Sequence, residues 1–118
     1  MKKNIAVYGT LRDFKTKKGE VHGYALVYPA MTKAFPAAIK DEKDKIVVEV
    51  KTIEDYEIGG YDEYENVKGG LYKRDTVNVK MPDGEIVEAW MYTAGPVILQ
   101  NDGVYEKIPD NDWENVAY

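Results

Sequence analysis

No cysteine occurs in the 118 residues, and histidine occurs once, as His22. The first absence removes disulfide scaffolds, thiol nucleophiles and thiolate metal sites, and a lone imidazole cannot build a ligand cluster. The residues therefore imply no metal and no cofactor. Also missing are any apolar run approaching the roughly 18 to 20 residues that cross a bilayer and any leader pattern at the amino end, so no membrane partner and a cytoplasmic location are expected. Positive charge is in deficit: 16 Lys and Arg face 21 Asp and Glu, for a net charge of −5. That balance argues against nucleic acid as a partner. The basic stretches "KTKKGE" (Lys15 to Glu20) and "YKRD" (Tyr72 to Asp75) read as solvated surface. Nothing in the residues assigns an oligomeric state.

Against these absences stand 44% hydrophobic residues and ten tyrosines. The chain is long enough for a working core in one domain, residues 1–118, with a core over about 4–95 and a tail over 96–118. The tyrosines suit strands and wet interfaces, and they also offer rings on which a ligand could stack.

Period-2 segments dominate. "NIAVYGT" from Asn4, "VHGYALVYP" (Val21 to Pro29) and "KIVVEVKTI" (Lys45 to Ile53) read as strands. "LYKRDTVNVKM" and "IVEAWMYT" alternate on either side of Pro82-Asp83-Gly84 and predict a β-hairpin, since Pro presets φ and Gly accepts a positive one. "EDYEIGGYDEYENVKGG" carries acids and tyrosines at helical spacing, is interrupted at Gly59-Gly60 and closes at Gly69-Gly70, which predicts one or two short helical turns. The tail after Gly95-Pro96 is expected to wrap the surface in loops or a short helix. The fold class that follows is α+β: a small, mostly antiparallel curved sheet or partly closed β-barrel of five to six strands with a few short helices. A barrel of that size leaves room for one small ligand at its mouth, where the turn after a central first strand would lie.

The ordered set "VYGTLR" (Val7 to Arg12), "HGYALVYPA...FPAAI" (His22 to Ile39), "VVEVKTI" (Val47 to Ile53), "YDEYEN" (Tyr61 to Asn66), "LYKRDTV" (Leu71 to Val77) and "VEAWMYT" (Val87 to Thr93) resembles the gamma-glutamylcyclotransferase-like family, in its gamma-glutamylamine cyclotransferase, AIG2-like branch. The resemblance implies a compact barrel whose cavity receives a gamma-glutamyl group and releases it as 5-oxoproline. It matches Tyr8, Gly9, Thr10 and Leu11 to the substrate loop and Glu65 to the catalytic glutamate, with Tyr72 and Arg74 following as the usual Tyr-x-Arg. Val48-Glu49 departs from the usual Gly-Glu, and the segment from Arg12 to His22 is short.

The chemistry suits these residue types. The substrate's own α-amine attacks its own γ-carbonyl, so the nucleophile comes with the ligand and no Ser, Cys or metal is required. The protein must supply one group that takes a proton from the ammonium and returns one to the leaving nitrogen. A carboxyl raised toward neutrality does both, and burial with acidic neighbours raises it. N–H groups of Gly9, Thr10 and Leu11 can hold a carboxylate or a developing oxyanion, with Tyr8 offering a hydroxyl.

Each assignment has a plainer counterpart. Tyr8 to Leu11 also reads as a strand-ending turn, and Glu65 as a surface acid, with Glu63, Glu57 and Glu49 as rivals. Helical spacing favours Glu65, because an inward Tyr61 brings Glu65 inward by the i, i+4 rule. Arg12 reads as a partner for a substrate carboxylate or, more commonly at a strand end, as solvent-facing; Tyr92 reads as a cavity wall or an ordinary strand residue; His22 reads as structural. The function expected is a cyclotransferase acting on a small gamma-glutamyl molecule. The alternatives are a non-catalytic binding or sequestering module on the same fold and a protein-interaction domain with a tyrosine-rich acidic surface.

Overall fold

The computed structural model describes residues 1–9, 11–29, 36–100 and 105–114. Strands β1 (Lys2–Val7), β2 (Lys18–Pro29) and β3 (Ala37–Glu54) are followed by a 3-10 turn (Asp55–Glu57) and helix α1 (Ile58–Tyr64). After them come β4 (Tyr72–Lys80), β5 (Ile86–Ala94), the one-turn helix α2 (Pro96–Leu99), β6 (Tyr105–Lys107) and a second 3-10 turn (Pro109–Asn111). The strand order is β3-β1-β5-β4-β2-β6, and a further pairing of β2 with β3 brings the sheet round into a ring. All pairings are antiparallel except β1 with β5, where Ile5 and Ala6 lie beside Trp90 and Met91. β1 is central, between β3 and β5, which meets the condition for the turn after it to lie at the mouth.

β3 is the strand that bends the sheet. Its first half pairs with β2 and its last residues with β1, and Glu49 stands at the handover, opposite both Val7 and Lys18. The sequence reading begins this strand at Lys45, because the charged run Asp41 to Asp44 has little strand propensity. Pairing of Lys40 with Tyr24 and of Lys45 with His22 draws the whole run into the sheet, across an irregularity at Gly23. Gly23 sits at φ +92, a conformation that costs glycine nothing. His22, beside it, is exposed.

Alternation along the strands sorts side chains onto two faces. Ala6, Tyr8, Leu26, Ile46, Val48, Val79 and Met91 form the cluster inside the ring. Ile5, Val7, Ile53, Tyr72, Tyr92 and Ile98 form a second cluster on the other face, with Ile58 and Tyr61 of α1 packed against it. The hairpin forms as read, with Tyr72 to Lys80 opposite Ala94 to Ile86 and Gly84 at φ +90.

Two expectations are corrected. Gly59 and Gly60 do not interrupt α1, which runs through both; neither position has a neighbour that an added Cβ would meet, so they cost the helix propensity but no packing. The tail does not merely wrap the surface. β6 adds to β2, and Ile108 and Trp113 enter the inner cluster, with Trp113 stacked on Tyr28 at 5.8 Å between ring centroids. Apolar area removed from water outweighs the polar spacing of this segment. No helix among the described residues is long and apolar enough to cross a membrane.

Candidate functional site

Where β1 ends, the chain turns. The Arg12 N–H donates to the Gly9 carbonyl at 3.0 Å, which closes the turn, while among the described residues no acceptor takes the N–H of Gly9 or Leu11 in a turn hydrogen bond. Gly9 packs so closely on Pro36 that an added Cβ would lie 2.7 Å from the proline Cγ. Glycine is thus required here for close approach between two chain segments. Thr10 lies outside the described residues.

Beside this turn opens a cavity of about 150 Å³. Tyr8, Gly9 and Leu11 form one wall, Pro36 and Tyr92 another, and Tyr64, Glu65, Leu71 and Tyr72 the third. The structure therefore gathers every described residue of the expected site except Arg12.

Glu65 reaches the cavity because α1 ends on it. Its N–H donates to the Tyr61 carbonyl at 2.9 Å, and Asn66 next to it takes φ +53, a left-handed conformation that Asn tolerates and that stops the helix. The chain then runs back through a series of turns to Leu71, whose carbonyl accepts from Gly95 N–H at 2.9 Å. The helix itself is pinned by Asp62, which accepts from the Tyr92 hydroxyl at 2.6 Å and pairs with Arg74 at 3.2 Å. Arg74 in turn lies 4.5 Å from the ring centroid of Trp90. Tyr61 does pack inward, and Glu65, one turn on, follows it.

Glu65 is half-buried, and that burial raises its carboxyl from the ordinary 4.5 to about 7. A group so placed exchanges a proton near neutrality in either direction. The cavity tyrosines are pushed the other way from reactivity. Burial first, then the charges of Tyr72 and Glu65, raises the phenol of Tyr8, and burial, then Glu65 and Tyr64, raises that of Tyr72, so both stay protonated. Their hydroxyls are structural. Tyr8 donates to the Tyr92 carbonyl at 2.6 Å and accepts from Ala38 N–H at 3.3 Å, and Tyr72 donates to the Pro36 carbonyl at 2.8 Å.

Arg12 is not solvent-facing. Its side chain is fully buried, with Nε donating to Glu49 Oε2 at 2.6 Å and Nη1 to Asp112 Oδ1 at 2.7 Å. Burial alone would lower its pKa, but the hydrogen bonds to the two carboxylates outweigh that and raise it. The rival Glu49 is likewise occupied, because it also accepts from the N–H groups of Asp13 and Phe14 at 3.1 and 3.2 Å. Glu63 and Glu57 are exposed and do not line the cavity. Sequence reasoning missed Asp62 and Asp112, and no local pattern marks either one.

The fold is shared with several solved structures. A gamma-glutamyl cyclotransferase is 15% identical at a TM-score of 0.66, over 91% of this chain and 70% of that one. A protein from Arabidopsis thaliana, solved in solution, is 18% identical at 0.74, over 98% and 83%. An AIG2-like protein from Mus musculus is 19% identical at 0.65, over 83% and 82%. No curated protein matches the chain. The sequence model of the family described as gamma-glutamyl cyclotransferase, AIG2-like, matches residues 5–115, and the chain belongs to that family. Family and fold together support a cyclotransferase type of function on a small gamma-glutamyl molecule.

Proposed function

We propose that the protein releases 5-oxoproline and a free amine from a gamma-glutamyl amine or gamma-glutamyl amino acid, with Glu65 as the single general acid and base. The observation that carries this reading is the placement of a half-buried carboxyl, raised to about 7, in the same cavity as the turn after β1. The Glu65 carboxylate takes a proton from the substrate's α-ammonium, and the freed amine attacks the γ-carbonyl carbon. As the bond to the leaving nitrogen breaks, Glu65 returns the proton to it. The second proton carried by the attacking nitrogen passes through the freed carboxylate to the departing amine, which leaves as an ammonium. The products are a five-membered lactam and an amine, with no net change in protons.

The N–H groups of Gly9, Thr10 and Leu11 hold the α-carboxylate or the oxyanion that forms on the γ-oxygen, where each fixed donor is worth several kcal/mol. Arg12 supports the turn from behind, and Tyr92 serves as wall. Holding amine and carbonyl within reach of each other supplies much of the acceleration, since ring closure is intramolecular.

The test is 5-oxoproline release, measured by mass spectrometry, from a panel of gamma-glutamyl amines and amino acids, with wild type and Glu65→Gln compared. Release by wild type alone supports the reading. Equal release by both variants removes Glu65 from it, and no release by either removes the reaction.

A further inference from the structure

Arg12 and Asp112 stand 100 residues apart in the chain and 2.7 Å apart in space. Arg12 is the last residue of the turn that forms one wall of the cavity, and its own N–H closes that turn on Gly9. Its guanidinium is held at two nitrogens, Nε by Glu49 and Nη1 by Asp112, while Nη2 is buried with no hydrogen-bond partner among the described residues. Without Asp112 two of its three nitrogens would be buried unpaired, a cost large enough to drive the group toward water and take the turn with it. Asp112 is itself fixed, because Lys18 Nζ holds its other oxygen at 2.9 Å and the Glu114 N–H donates to Oδ1 at 3.0 Å. Phe14 sits at φ +61, a strained conformation for an aromatic residue, with the Arg12 guanidinium 4.7 Å from its ring centroid. The backbone after the turn therefore depends on the same group.

We propose that Asp112 is a positioning residue for the substrate turn: acting through Arg12, it fixes the N–H groups of Gly9 and Leu11 against the cavity, so the segment after β6 sets affinity for the gamma-glutamyl end. The effect on affinity rests on the cyclotransferase reading; the effect on the turn does not. Ground-state binding by the turn places the consequence in KM, and the Glu65 titration is left alone because Asp112 does not line the cavity.

Amide hydrogen exchange and steady-state kinetics on the full chain decide it, with Asp112→Ala and, should that variant fail to fold, Asp112→Asn, which keeps the shape and removes the charge. Exchange at Gly9 to Phe14 should quicken about tenfold while the β4–β5 amides hold, and KM for gamma-glutamyl-butylamide should rise about tenfold. The limb of kcat near pH 7 should stay in place, and Asp112→Glu should recover part of the loss. Unchanged exchange in the turn overturns the proposal, as does a fall in melting temperature with KM unaltered. If wild type releases no 5-oxoproline from any substrate, the cyclotransferase reading fails and the exchange measurement alone decides the role of Asp112.

Discussion

The Tyr8 hydroxyl donates to the main-chain carbonyl of Tyr92 at 2.6 Å, tying the end of β1 to the far end of β5 between two residues that line the cavity. Because the same oxygen accepts from Ala38 N–H, one phenol joins three strands. Tyr8→Phe keeps the ring and removes both bonds, leaving a buried carbonyl and a buried N–H without that partner. The variant should lose about 1 to 3 kcal/mol, read as a lower urea midpoint with an unchanged slope.

Titration of Glu65 couples stability to pH. Its folded pKa of about 7 lies above the ordinary 4.5, so the folded state holds the proton more tightly. That contribution is complete below about pH 4.5 and is lost as pH rises through 7. Glu65→Gln should therefore be more stable than wild type at pH 8, by about 1 kcal/mol once solvent screening is allowed for, and the difference should close at pH 4. Thermal melts at both values check the sign. In the proposed mechanism the carboxylate form starts the reaction, so kcat should climb through about pH 7 and level off above it.

Glu49 holds three donors, the Arg12 Nε and the N–H groups of Asp13 and Phe14. Glu49→Ala removes one of the two carboxylates that hold a buried guanidinium, together with the acceptor of two peptide N–H groups. The expected loss is about 3 to 5 kcal/mol, measured by chemical denaturation. Glu49→Gln keeps an acceptor and should lose less.

Trp113 tests whether the segment after β6 belongs to the core. Trp113→Ala removes the stacking on Tyr28 and a large part of the inner cluster, and it should cost about 3 to 5 kcal/mol. A loss below 1 kcal/mol would return the segment to the surface.

Local signals carried the hairpin and the cavity acid. Pro82-Asp83-Gly84 marks its turn by backbone chemistry alone, and Tyr61 and Glu65 share a face by helical spacing, so both were legible in the residues. The full extent of β3 was not, because Lys40 and Lys45, on either side of Asp41 to Asp44, pair with a strand some twenty residues earlier, which overrides the weak propensity of the run between them. The destinations of Arg12 and Glu49 were hidden for the same reason. A charged pair that meets only after the sheet has closed leaves no period in the sequence, and its third member, Asp112, lies in a polar stretch that reads as surface. Tyr8 was expected to present its hydroxyl to a ligand; the ring does line the cavity, but Tyr92 and Ala38 already engage the oxygen.

The clasp between Arg12 and Asp112 also orders events in time. A ribosome adds about 5 to 20 residues each second, so Arg12 is incorporated roughly 5 to 20 s before its second carboxylate exists. For most of its synthesis the chain carries a cavity wall whose fastening has not yet been made. A sheet so dependent on distant pairings closes slowly, and the wall of its cavity is among the last parts to set. A nascent chain stalled before Asp112 would hold Glu65 and the turn after β1 with the clasp still open.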